Sequence, residues 1–588
     1  AQSNSGVSGI YEDKTIVGAN KPVSGSNSWG AVELADTKNN LEIASGAAVT
    51  LHGVNGELVS KKDGTTGGVA LTQNATLSVK GNGTLATITA SADKQGKALV
   101  NANLSVTGDI GSATLALSEV NVQGNGQLST TGNIYTNNLV VDGAVSTTKD
   151  ISATTKLEAN GLVQAQNITA GSITVSDTVI ADKVTLSGTS SVLSVGDSAN
   201  TGLVEVGTLD LKGGKLLLDP AYDQPSTIVA LKDVTDTTKD VVSANGDIGV
   251  GMNSILAVGT TAADAKALLT KLDFFSGDSL KQTNGAVLVS NESLYIASGD
   301  KVVINSTSDH TALTTAIGSA SGDSFALASN SALVVTDNLS SKTNTGSKPI
   351  IEFQTSGSAK VTLDSGSQIA FESALSEKDK VTLSNATATN TTNKGVVITA
   401  AGGLLNGTLS GSQITFTLDE NKLREQSVNM STPVQDLAIA ALKGDGVVLG
   451  EAGTQYIQTM TGLDGGKAVE ETARLAVYGG AVQTTNLAQQ AATDAVVDRM
   501  SRANPNGSLV FADNAQGGGL WLSPVYKSHE SDSFDADGVD YGVDADLAGL
   551  VLGGDFTSES GVRAGAYFNF GSASVDGQGV GDKVSNDA

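Results

Sequence analysis

Between residues 156 and 186 the apolar positions Leu157, Val163, Ile168, Ile173, Val179 and Val184 recur at intervals of five or six residues. A hairpin meander needs roughly 8 to 12 residues for a strand and its turn, so this interval is too short for one. It suits a chain that makes a short strand, a corner and another short strand. Three such edges make one coil, and stacked coils bury the inward residues in a continuous column. The same writing begins near Gly68, with ATLSV at 75–79, GTLATITA at 83–90, ANLSVTG at 102–108 and ATLALSEVNVQG at 113–124. The expectation is an all-β chain, a right-handed parallel β-helix over residues 1–465. Coils of roughly 20 to 25 residues stacked at ~4.8 Å would give a rod on the order of 100 Å long. The period is irregular, which leaves an array of β-sandwiches as the alternative. Residues 1 to about 50 are polar and poor in strand signals, and read as a cap or a first coil.

Composition supports short strands over large-residue helices. Aromatic residues make up 4% of the chain, and 69 glycines stand against seven prolines. A narrow column filled with small aliphatic side chains accounts for both. The formal charge of −26 opposes nucleic acid and anionic lipid as partners, because each requires a positive surface. The chain has no cysteine, which removes disulfides, thiol catalysis and cysteine-based metal sites. No run of 18 apolar residues occurs, so no transmembrane helix is expected. Ala1-Gln2 reads as a mature end left after cleavage at a small residue.

The C-terminal part is written differently. In AVQTTNLAQQAATDAVVDRMS, residues 481–501, alanines 481, 488, 491, 492 and 495 fall on one narrow helical face. Such a helix spans about 30 Å, the thickness of a bilayer core. Gln489, Gln490, Asp494, Asp498 and Arg499 forbid contact with lipid. A polar, small-faced helix of that length crosses a membrane only inside something. Gly479-Gly480 should interrupt it at its start, at about 1 kcal/mol per glycine relative to alanine. Alternating segments follow at 520–526, 541–555 and 562–570, with Val562, Ala564, Ala566, Phe568 and Phe570 on one face. This is the weak, repeated signal of a transmembrane β-barrel.

The words ARLAVYGGAVQ at 473–483, AATDAVVDRMS at 491–501, GGLWLSPVY at 518–526, YGVDADLAGLVLGGD at 541–555 and VRAGAYFNFGSASV at 562–575 come in a telling order. Together they resemble the translocator end of the autotransporters of Gram-negative bacteria, the type V secretion family. The resemblance covers residues 467–588. It implies a passenger at 1–465, a helical linker at 466–517 and, at 518–588, the first strands of an incomplete antiparallel transmembrane β-barrel. It further implies export across the outer membrane, a helix left in the barrel lumen, and assembly by the barrel-assembly machinery. About four strands of text are present, whereas a barrel closes only with its full set, so a longer polypeptide is expected. The coils between about 350 and 465 lie where this family places its folding nucleus.

Two stretches interrupt the strand writing. Residues 261–275 carry Ala265, Leu268, Leu269 and Leu272 at helical spacing, and Thr432-Pro433 opens a helix that Gly444 closes. Both are expected to be loops packed on the side of the rod.

Chemistry is sparse. His52, His310 and His529 lack metal-ligand spacing and are expected at the surface. Gly277-Asp278-Ser279-Leu280 spells a lipase-like nucleophile word, but Ser308-Asp309-His310 is followed by more strand writing. Leu363-Asp364-Ser365-Gly366-Ser367 lacks an upstream His and Asp context. Asp535-Ala536-Asp537-Gly538 opens like a calcium loop but is not closed by a glutamate. No catalytic, cofactor-binding or metal-binding residue is therefore assigned, and no enzyme is expected. The expected function is a surface-displayed adhesin or self-association factor, with host or neighbouring-cell ligands as partners. A secreted esterase or protease using the same route is the alternative.

Overall fold

The computed structural model describes residues 14–18, 22–35, 40–219, 228–231, 240–251, 254–271, 275–276, 279–280, 286–290, 293–305, 314–317, 324–336, 350–351, 353, 359–372, 375–384, 389–426, 432–445, 475–501, 509–513, 518–531, 535–536, 539–540, 543–577 and 583–587. Strand makes up 57% of the structure and helix 12%, so the all-β expectation holds at that level. The chain divides into two compact units. One comprises Ala1–Ser373, Asp379–Ala400 and Gly407–Phe416, the other Ala374–Lys378, Ala401–Asn406 and Thr417–Ala588.

Over 68–218 of the first unit each strand pairs in parallel with a strand further along the chain, never with a hairpin neighbour; antiparallel pairs occur later, at Phe275–Ser276 with Ser279–Leu280 and at Lys380–Thr382 with Gln413–Thr415. Strands β1 (Asp150–Ala159), β2 (Leu162–Val175) and β3 (Thr178–Leu186) show the pattern in its tightest form: Leu157 pairs with Ile173, and Val163 with Val179. They are longer than the spacing suggested, because one hydrogen-bonded strand continues through a corner, as at the register shift between Ala153 and Lys156.

Three parallel ladders result, and each carries at least one aliphatic column. The first stacks Leu104, Leu128, Val145, Val163, Val179, Val204, Val229, Leu256 and Leu288. The second runs Leu77, Ala98, Val120, Leu139, Leu157, Ile173, Leu193, Leu216, Ile248, Val302, Leu333, Ile369, Ile398. The third holds Ile110, Ile134, Ile151, Ile168, Val184 and Leu209. All are buried, which is the inward face that the five-to-six-residue spacing assigns. Strand structure starts earlier than expected. Lys14–Val17, Ser26–Trp29, Ala31–Leu34 and Asn40–Ile43 are already strands, with Trp29 buried, so the first 50 residues are not strand-poor. Their polar outward residues hid the short inward alternation.

Corners stack as closely as strands. A Cβ on Gly143 would lie 2.0 Å from the carbonyl oxygen of Gly126, and one on Gly161 1.9 Å from that of Gly143. No side chain fits there.

Next in the first ladder come β4 (Leu203–Asp210), the strand Ile228–Leu231 and β5 (Ile255–Val258), then helix α1 (Ala262–Lys271) and β6 (Val287–Ser290). Thr261 caps α1, its Oγ1 accepting the N–H of Asp264 at 3.1 Å. The helix lays Ala265, Leu268 and Leu269 with Phe275 over Ile255, Ala257, Val287 and Val289, which point outward from the ladder. It therefore packs on the flank of the strands, as expected of this interruption. Its two sides differ in strand number: Ile228 pairs with Ile255 and Ile255 with Val287, whereas Asp247 pairs directly with Lys301. One ladder thus holds a strand that its neighbour lacks.

The second unit contains α2 (Glu420–Gln426) and α3 (Thr432–Lys443), joined by Arg424 to Asp436 at 2.8 Å and by Lys443 to Glu420. Helix α4 follows as Leu475–Ser501. It runs unbroken through Gly479-Gly480, contrary to the expected interruption. The cost of two glycines is small beside the continuous hydrogen-bond ladder of 27 residues. The antiparallel sheet is ordered β7 (Leu509–Asp513), β8 (Gly519–Ser531), β9 (Val543–Thr557), β10 (Arg563–Gly577) and β11 (Lys583–Asp587). β7 lies within the stretch read as linker. Residues 446–449, within the expected folding-nucleus coils, lie outside the described residues.

The corner stacking is directly testable. Gly143→Ala must move the backbone of the coil below and is expected to destabilise the first unit by about 1–3 kcal/mol in thermal unfolding. Gly124 is the control, because a Cβ added there would have nothing within 4 Å; Gly124→Ala should stay within about 0.5 kcal/mol of wild type.

Candidate functional site

Two faces of the β8–β9–β10 sheet have opposite character, and alternation along each strand produces both. One face receives α4. Leu487, Ala488 and Ala491 pack on Ala545, Leu547, Ala573 and Val575, while Ala492 and Ala495 pack on Trp521 and Val551. The alanine face read from the sequence is thus the contacting face. Small residues are also needed below: a Cβ on Gly553 would meet the ring of Trp521 at 2.3 Å, so the indole lies flat on that glycine.

Charge fixes the helix at two points. Arg499 Nε donates to Asp555 Oδ2 at 2.8 Å, and Arg563 reaches the same carboxylate at 3.1 Å, as does the N–H of Gly519 at 2.9 Å. The Arg499 side chain is 0% exposed and that of Asp555 4%. A buried pair so made is strongly destabilising to break, because the partner left behind keeps its charge without solvent. Lys527 meets Asp494 at 2.6 Å nearer the surface. The sequence marks Arg499 and Asp494 as polar residues that must avoid lipid, but it does not reveal their partners. Val482 and Ala481 lie in a part of α4 whose side chains are outside the described set.

The opposite face is apolar over a limited height. In register across β8, β9 and β10 lie Leu520, Gly554 and Ala566; Leu522, Leu552 and Phe568; Pro524, Leu550 and Phe570; and Tyr526, Ala548 and Ser572. Phe556 faces the same way beside Ala564. Phe568 and Tyr526 are each 67% exposed and Phe556 63%. From Ala548 to Phe556 the band is about 27 Å along the strand. It then stops: Ser528, Asp546 and Ser574 share the next level, and Glu530, Asp544 and Asp576 the one after. Tyr526 donates to Asp546 Oδ1 at 2.8 Å across that border.

The residues with chemical potential do not converge. Ser28 Oγ lies 2.9 Å from His52 Nε2, so His52 is partly buried and hydrogen-bonded, not the surface residue expected. Burial, aided by Lys80, lowers its pKa, the opposite of what an orienting carboxylate does. Ser28 sits mid-strand opposite Thr50, on an open ladder. Ser279 lies in a two-residue strand paired with Phe275–Ser276, and residues 277–278 and 308–310, including His310, are outside the described set. Asp364 and Ser365 form a corner in which Asp364 pairs with Lys394 at 3.0 Å. Asp535 and Ala536 form a minimal hairpin with Val539–Asp540. His529 is on β8. Among the described residues no group of three potential ligands could hold a metal ion.

Asp300 is the perturbed acid that the sequence did not reveal. It is 4% exposed and accepts the N–H of Ala244 at 3.1 Å. Burial raises its pKa to about 6 against the pull of hydrogen bonds from Ala244, Asn245 and Ser243. No family model, curated protein sequence or solved structure matches the chain.

Two outcomes follow from these geometries. Asp300 has a folded pKa above its unfolded one, so the stability tied to its protonated form is present below about pH 4 and lost as pH rises through about 6. Asp300→Asn should therefore flatten the difference in melting temperature between pH 5 and pH 7.5 that this carboxyl adds. Asp555→Asn removes the charge facing both Arg499 and Arg563 and should weaken the seating of α4 by about 3–5 kcal/mol. The readout is Trp521 emission, expected to shift to the red.

Proposed function

We propose that this chain is an autotransporter: an exported passenger, folded as a right-handed parallel β-helix, together with part of the antiparallel transmembrane β-barrel that carries it across the outer membrane. In this reading the passenger is displayed at the cell surface or released from it. It acts as an adhesin or self-association factor.

The observation that carries the reading is the two-faced sheet. One face holds a polar, alanine-faced helix by Arg499–Asp555, while the other presents an exposed apolar band that ends in acidic residues. Water would penalise such a band; hydrocarbon would not. At the roughly 35–45° tilt of strands in outer-membrane barrels, that length of strand spans roughly 20 Å of height, comparable with their roughly 25 Å apolar belt. A helix on the inner face is then a lumenal helix, shielded from lipid despite Asp494 and Asp498. The three parallel ladders of the first unit, each with buried aliphatic residues stacked along it, support the β-helix, since stacked coils with three edges need three such ladders. The apolar band supports membrane residence without any membrane-crossing helix, and among the described residues no helix is long and apolar enough to cross.

The test is bulk on the contacting face. Ala491→Trp and Ala492→Trp, expressed from the gene in a Gram-negative host, should each lower surface display about tenfold by overpacking the seat. Circular dichroism of the separately refolded passenger should not change. Unaltered display together with unaltered pore conductance in both variants would remove the lumenal helix from the account.

A further inference from the structure

The flank of the first unit carries a cleft that nothing in the export reading uses. It arises where the cover provided by α1 ends. Over β5 and β6 the helix seals the outward residues, but the outward positions of β4 and β3, two and three strands before β5 in the ladder, remain open. The step between helix and strands encloses a cleft of about 570 Å³. That volume is within the range of small-molecule sites, about 300–1,000 Å³.

Its lining is of mixed polarity in a definite arrangement. Asp177 and half-buried Glu205 supply carboxylates from the strand side, beside the hydroxyl of Thr178, which donates to Asp177 at 2.8 Å. Lys266 supplies an ammonium from the helix side, its Nζ 5.9 Å from the centre of the Phe275 ring. Leu203 and Ala263 give apolar surface between them. A ligand with a net charge of either sign would meet a like charge on one wall. A cation faces Lys266, and an anion faces Asp177 and Glu205. A neutral polyol satisfies both walls: its hydroxyls donate to the carboxylates, one oxygen accepts from Lys266, and its C–H surface rests on Leu203 and Ala263.

We propose that this cleft is a binding site for a neutral saccharide. The inference rests on the adhesin reading and gives that reading a ligand class and a place. Thr178, Leu203 and Glu205 project from strands fixed in the ladder, so the strand side of the cleft is set before a ligand arrives.

The experiment uses the full chain and a panel of lactose, cellobiose and N,N′-diacetylchitobiose, observed by saturation-transfer NMR, with trilysine as a charged comparison. At least one disaccharide is expected to bind with Kd of about 0.1–10 mM. Ala263→Trp, at an exposed position on α1, should abolish the signal, and Glu205→Gln should weaken it about tenfold. Circular dichroism of both variants should match wild type. Absence of transfer to all three disaccharides overturns the proposal, as does transfer that survives Ala263→Trp, or binding of trilysine alone. The export reading fails by a different result: loss of surface display leaves disaccharide binding by the purified chain intact.

Discussion

A strand whose backbone partner is a later pass of the same chain must place side chains directly above one another, at one spacing and in one register. This pairing rule governs the parallel ladders of the first unit. Val163 must suit Val179, and Val179 must suit Val204, because each is the floor of the next. A column of that kind admits Leu, Val, Ile and Ala and little else. A large ring needs room from its neighbours, as Phe371 has beside Ala400, and unpaired charges would lose their water. Gly126, Gly143 and Gly161 obey the same rule at a corner, where carbonyl and Cα approach until no side chain fits. The scarcity of aromatic residues and the abundance of glycine are therefore consequences of stacking.

The second unit reverses the distribution of polarity. Its sheet keeps Arg563, Asp555 and Lys527 on the face that meets α4 and leaves phenylalanines exposed on the opposite face. For a water-soluble sheet this is inside out. The Trp521–Gly553 contact shows how closely the helix-facing side is fitted, since the indole occupies the space a side chain at 553 would need. Small residues on α4 and small residues on the sheet thus serve the same purpose from both sides.

Much of this was legible in the chain. The spacing of Leu157, Ile168, Ile173 and Val179 identified buried positions because apolar periodicity survives irregular coil length. Ala488, Ala491, Ala492 and Ala495 identified the contacting face of α4 because a helix repeats its faces. Partnerships between distant residues were not legible. Nothing in the spacing joins Arg499 to Asp555 or Ser28 to His52, since such pairs depend on how separate elements come to rest. Asp300 was hidden for a related reason: a carboxylate in a turn reads as solvated unless the strands around it are known. The early strands were missed because four residues with two inward positions give too little alternation to register, as in Ser26–Trp29.

The unequal ladders beside α1 make the stack an imperfect crystal. Where Ile255 and Val287 supply a strand that has no counterpart between Asp247 and Lys301, the lattice contains an edge dislocation, a half-plane that begins inside the solid. Both ladders keep their register past such a fault, but a slip of one ladder by a single rung would leave the extra strand out of place. A perfect stack of near-identical rungs has many almost equivalent alignments. One misfit rung makes them inequivalent, and the chain acquires an absolute position along its own length.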